Sequence, residues 1–131
     1  MTDTTLSPCP CGSGTPYEHC CGRFLDGAHQ AQNAETLMRS RYSAFVLHRR
    51  DYLLATWHPR TRPTSLDLAE EPQPRWLGLQ IKQQARPSPD TASVEFVARY
   101  KIGGRAFRMH EISQFVREDD RWFYVVGEQL E

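Results

Sequence analysis

The sequence predicts an α+β protein, with helices leading and an antiparallel sheet following. Three observations lead there. Apolar residues recur with helical spacing from Ala34 onward, they alternate with polar ones through the C-terminal half, and a cysteine cluster stands apart near the N-terminus. At 131 residues the chain fits one ordinary domain of roughly 100–200 residues with a short appendage. Residues 1–8 are polar and read as a disordered tail, 9–33 as a cysteine-, glycine- and proline-rich knuckle with a polar linker, and 34–131 as the folded domain.

The helix comes first. Ala34, Leu37, Met38, Tyr42, Phe45 and Val46 line one side of a helical wheel, which predicts a helix over 34–48. Asn33 suits its N-cap, because a short side-chain oxygen there accepts from a free backbone amide. A second, short helix over 51–57 stops at His58-Pro59, since proline disfavours helical geometry in the residue before it. Residues 59–75 carry four prolines and read as a loop.

The remainder is strand. Leu77, Leu79, Ile81 and Ala85 alternate with Gln80, Lys82 and Gln84, and Val94, Phe96, Ala98, Tyr100 and Ile102 with Glu95, Arg99 and Lys101. Gly103-Gly104 supplies a hairpin turn requiring positive φ. A strand over 105–117, a turn over 118–120 and a last strand over 121–126 complete a meander. That last strand, apolar on both faces, leaves room for a homodimer.

Charge and cysteine placement narrow the function. The 16 basic and 16 acidic side chains cancel, whereas nonspecific nucleic-acid binders carry a positive excess. No apolar run approaches the ~20 residues of a membrane span, and the opening MTDTTLSPCPCGSG has neither the basic nor the apolar region of a secretory signal. The expected compartment is the cytoplasm. All four cysteines fall within 9–21, while a disulfide-stapled secreted domain spreads them to tie distant segments. Clustering points to metal.

The cluster reads CPCGSGTPYEHCC: Cys9 and Cys11 one residue apart, a glycine-rich reversal, then adjacent Cys20 and Cys21. Four thiolates at tetrahedral corners suit zinc, and Gly12-Ser13-Gly14 lets the chain turn back on itself. Free amides of that turn are placed to donate to sulfur, and the Tyr17 ring to shield the site. A knuckle this short has little core, so the metal is expected to hold its shape. Thioredoxin-type redox chemistry needs C-x-x-C on a βαβ unit, and rubredoxin-like iron also prefers such pairs, so zinc is the expected cofactor. His19 is an alternative ligand to Cys20 or Cys21, because adjacent cysteines must splay apart.

The segment CPCGSGTPYEHCCG resembles the SEC-C motif, the zinc knuckle also found in the SecA translocation ATPase. That resemblance implies Cys9, Cys11, Cys20 and Cys21 as the ligand set. The runs LMRSRYSAFVLHRRDYLLATWHPRTRP and RMHEISQFVREDDRWFYVVGE resemble the YchJ-like family of uncharacterised bacterial proteins, from about Cys9 to the C-terminus. The resemblance implies a cone-shaped, nuclear-transport-factor-like body with helices packed on a curved antiparallel sheet. A knuckle like that of SecA implies docking to a protein or ribosomal partner.

Two further features invite a functional reading. Arg41 lies within the apolar stripe of the first helix, where a charge needs a partner or water. Glu111 shares a strand face with Phe107, Met109 and Phe115, so an Arg41–Glu111 pair is expected. Tyr100 is a candidate lining residue of a cavity between helix and sheet, with Tyr42 and Trp57 closing it and His58 at its mouth. Such a cavity admits small-molecule binding or an enzyme, or an ion pair that merely fixes helix to sheet. No nucleophile–base dyad is visible, and His110 falls on the opposite face from Glu111, so no catalytic residue is assigned. The arginines of 39–62 are a candidate RNA patch, against the plainer reading of a solvated helix end. The leading expectation is a zinc-binding adaptor rather than an enzyme.

Overall fold

The computed structural model describes residues 8–27, 29–69 and 72–130. The tail expected over 1–8 lies outside them except for Pro8. A 3-10 turn, Tyr17–His19, leads into three helices, α1 (Gly22–Leu25), α2 (Ala34–Val46) and α3 (Arg50–Ala55). Strands β1 (Arg75–Ser88), β2 (Thr91–Ile102), β3 (Arg105–Glu118) and β4 (Arg121–Gln129) follow. They form one sheet in the order β1-β2-β3-β4, every pair antiparallel.

Helix α2 starts where a cap residue permits: the Asn33 side chain accepts from the Thr36 amide at 2.8 Å. It ends two residues before the expected position. His48 takes a left-handed φ of 58°, and the Arg49 amide returns to the Ala44 carbonyl at 2.8 Å. This closure favours glycine, because a Cβ is disfavoured at positive φ. His48→Gly is therefore expected to stabilise the protein by about 0.5–1 kcal/mol, net of glycine's greater unfolded freedom. Urea unfolding with an unchanged slope checks it.

Helix α3 also ends early, at Ala55 rather than Trp57. The sheet takes the chain over at this point. The Tyr124 amide donates to the Thr56 carbonyl and the His58 amide to the Tyr124 carbonyl, both at 2.8 Å, making a parallel bridge between Trp57 and Tyr124. Residues 56–58 thereby cover part of the edge that β4 would otherwise leave unpaired.

The hairpin turns follow local chemistry. Gly103 and Gly104 have φ of 59° and 81°, and Asp119 and Asp120 have 53° and 64°, the mirror-image turn that matches strand twist. In β1 simple alternation fails. A bulge between Trp76 and Gly78 shifts the register, and Leu77, expected inward, is 48% exposed. Trp76 takes the inward place opposite Tyr100. In the last strand Trp122 and Val125 are buried, Phe123 packs against His58 at 5.8 Å between ring centroids, and Val126 is exposed. Helix α2 packs against β1, β2 and β4, and Leu37, Ala44, Leu53, Val94, Phe96, Ala98 and Phe115 make the core.

Candidate functional site

The cysteine segment folds as a small hairpin followed by a helical turn. Pro8 and Pro16 bridge antiparallel, the Cys9 amide donates to the Thr15 carbonyl at 3.0 Å and the Gly12 amide to the Cys9 carbonyl at 3.1 Å. Gly12 and Gly14 make the reversal with φ of 81° and 86°. The 3-10 turn then delivers Cys20, and Cys21 caps α1. All four sulfur atoms lie within 4.8 Å of one another, with Cys11 and Cys20 at 3.7 Å.

These spacings fit a tetrahedral ion. Zinc–thiolate bonds of about 2.3 Å imply sulfur–sulfur edges of about 3.8 Å. Cys9, Cys11 and Cys21 are buried, at 4%, 0% and 1% exposure. The Cys21 hydrogen bond, aided by the hydroxyl and amide of Ser13, pulls the Cys11 thiol down to about 4 against the effect of burial. The same contact with Cys11, together with burial, pushes Cys21 up, and burial pushes Cys20 up. Four adjacent thiols, three of them buried, cannot all ionise unaided, and a divalent cation removes that repulsion. His19 is exposed and stands outside the sulfur cluster.

Tyr17 is fitted against α1. A Cβ on Gly22 would stand 2.8 Å from the Tyr17 carbonyl oxygen and 2.9 Å from its ring. Gly22→Ala is expected to cost about 1–3 kcal/mol and to speed metal release, which a chromogenic chelator would follow.

The segment is not a tethered bead. The Cys9 sulfur lies 3.5 Å from the Ser43 hydroxyl, and Arg39 Nη1 donates to the Cys11 carbonyl at 3.0 Å while its Nε bonds Glu35 at 2.9 Å. Arg49 Nη2 donates to the Leu25 carbonyl at 2.8 Å, and Nη1 meets Asp26 at 3.3 Å. Cys9, Cys11 and Cys21 join the same core cluster as Leu37 and Met38. The knuckle, expected to have little core of its own, shares the core of the body, with α2 as its floor. Of the arginines in 39–62, Arg39, Arg41 and Arg49 are engaged inside the fold, while Arg50, Arg60 and Arg62 are exposed.

On its other side, α2 walls a cavity of about 290 Å³ against the sheet. Arg41, Tyr42, Trp57 and Glu111 line it, together with Trp76, Met109, Ser113 and Tyr124. Two expected lining residues lie elsewhere. Tyr100 sits between Trp76 and Phe107, at 5.3 and 5.4 Å between ring centroids. His58 is held by Glu118 at 2.8 Å and packs on Phe123, because the bridge at Trp57 turns it away.

The expected Arg41–Glu111 pair does not form. Arg41 Nη1 donates to the Leu53 carbonyl at 2.8 Å and the Thr56 hydroxyl at 2.7 Å, and the guanidinium lies over the rings of Tyr124 and Trp57 at 4.4 and 5.1 Å. The free carbonyl at the end of α3 takes the place that a carboxylate would fill. Glu111 accepts instead from Gln129 at 2.9 Å, and burial raises its pKa. His110 pairs with Glu95 at 2.6 Å. Trp76 and Tyr124 escaped the sequence reading. Trp76 precedes the expected strand start, and Tyr124 is one apolar residue among several in β4.

Helices packed on a four-stranded meander, joined to a four-cysteine knuckle, define an NTF2-like protein with a SEC-C module. Residues 7–23 match the SEC-C motif, and residues 33–127 match the family described as "YchJ, middle NTF2-like domain". The chain belongs to this YchJ-like family, whose curated members carry the name UPF0225 protein. It is 58% identical to the UPF0225 protein of Methylibium petroleiphilum, over 98% of this chain and 94% of that one. A SEC-C motif containing protein from Rhodopseudomonas palustris, solved in solution, superposes with a TM-score of 0.84 at 35% identity, covering 95% of this chain and 100% of that one. One from Psychrobacter arcticus gives 0.77 at 28% identity, covering 98% and 84%. No helix among the described residues is long and apolar enough to cross a membrane.

Proposed function

We propose that the protein is a zinc-binding accessory protein of the cytoplasm, whose metal pins the cysteine segment to α2 and whose knuckle rim docks a protein partner. The observation that carries the metal reading is the sulfur cluster, four thiols within 4.8 Å of one another. A set of four thiolates closes the coordination sphere of zinc and leaves no position for water, so the site's role is structural. Clustered cysteines committed to metal rather than to disulfides suit a reducing compartment. The rim available to a partner comprises Gly12, Ser13, Gly14, Glu18 and His19, all exposed.

Native mass spectrometry with elemental analysis tests the metal. One zinc per chain is expected; a metal-free mass lower by about 2 or 4 Da, the hydrogens lost to one or two disulfides, overturns it. Co-sedimentation with purified ribosomes tests the ribosomal form of the partner. The intact protein should pellet and a Cys20→Ser/Cys21→Ser variant should not, whereas an intact protein left in the supernatant removes that form. The cavity around Arg41 and Glu111 supports a second reading, small-molecule binding by the body.

A further inference from the structure

Arg41 is 4% exposed, and among the described residues no carboxylate pairs with it. Among those residues its hydrogen bonds all leave from Nη1, and none supplies an acceptor to Nε or Nη2. Burial draws its pKa down to about 10, which keeps it charged at neutral pH. Beside it, the Trp57 indole Nε1 is the one fully buried side-chain N or O atom among the described residues without a partner. Both residues line the same cavity, and the guanidinium lies 5.1 Å from the Trp57 ring centroid. A buried donor without an acceptor is costly, and a buried cation without a counter-charge more so.

The rest of the wall selects the occupant. Tyr42, Phe45, Trp76 and Phe96 present rings, and Met109 a thioether, around about 290 Å³. An apolar cavity of about 150 Å³ already takes benzene, so a substituted ring fits here. One guanidinium balances one negative charge. A phosphate dianion would bring a second charge without a second cation, and Glu111 on the same wall would repel it. Glu111 and Ser113, across the cavity's sheet side, offer acceptors to a ring hydroxyl.

We propose that the cavity binds a small aromatic carboxylic acid, its carboxylate held by Arg41 and Trp57 Nε1 and its ring enclosed by the aromatic wall. This rests on the small-molecule reading of the cavity. The probes are para-hydroxyphenylacetate, its neutral amide, and indole, titrated into the full chain and followed by heteronuclear NMR of the Arg41 and Trp57 side-chain N–H groups. The acid is expected to move both resonances saturably, and the amide to bind about ten- to a hundredfold more weakly, as when a charge-assisted hydrogen bond is lost. Ala98→Leu, which fills the cavity and keeps the guanidinium, should abolish the response. Equal binding of acid, amide and indole overturns the carboxylate assignment while leaving the pocket. No response to any probe at millimolar concentration overturns both, and an undiminished response in Ala98→Leu places binding elsewhere and overturns the proposal.

Discussion

Cys11→Ser is expected to abolish metal binding and to destabilise the whole protein by about 3 kcal/mol or more, a fall of roughly ten degrees in thermal midpoint. Cys11 is fully buried, and its carbonyl also anchors Arg39. Without the metal its neighbours Cys9 and Cys21 remain as buried thiols against α2, and the segment loses the closure that offsets its backbone entropy. Leu37 and Met38, in the same core cluster, would then gain water contact, so the effect reaches the body. Thermal melts of the variant and of chelator-treated wild type should coincide. Midpoints equal to that of untreated protein would mean that packing alone holds the segment down, and the metal's structural role would fall.

Phe115→Ala is expected to cost about 3–5 kcal/mol, the range for emptying a buried aromatic site. Phe115 is 1% exposed and meets Tyr124 edge-on, with ring centroids 5.9 Å apart. Tyr124 in turn supports both Trp57, at 5.1 Å, and the Arg41 guanidinium. The loss therefore undermines the cavity wall as well as the core. Phe107, on the same strand face but 37% exposed, is the control, with an expected cost under about 1 kcal/mol for its alanine variant. Urea unfolding midpoints of the two variants decide the matter; similar values would show that the wall is not built around Phe115.

Much of this architecture is legible in the sequence, for physical reasons that differ by element. In β2, unlike β1, no bulge shifts the register against β3, so Val94, Phe96, Ala98, Tyr100 and Ile102 keep to one face as the alternation predicts, with Val97 on the other face buried as well. Asn33 and Gly103-Gly104 act through their own backbones, so their roles read locally. Arg41 announces itself because a charge in an apolar stripe is costly wherever the partner lies. Its partners are harder to foresee. The Leu53 carbonyl became available because α3 stops early, and α3 stops early because Tyr124, far along the chain, captures Thr56 and His58. Leu77 misleads for a related reason, since a bulge resets the face without altering composition. The docking of the cysteine segment rests on Arg39 and Arg49 reaching carbonyls 28 and 24 residues away, and no local pattern marks such contacts.

The sheet's connections have a consequence for how the chain reaches this structure. Each strand pairs with its neighbour in sequence through only two residues: Pro89-Asp90, Gly103-Gly104 and Asp119-Asp120. Closing such short loops sacrifices little chain entropy, so the meander can zip up hairpin by hairpin. The cysteine segment must instead find its place across longer stretches, with 34 residues separating Cys9 from Ser43. Its arrival is expected to be the late step, and the only one to respond to zinc in stopped-flow refolding. A chain deprived of the proposed metal is then expected to halt with its sheet complete and the outer side of α2 bare, a sticky half-finished species rather than an unfolded one.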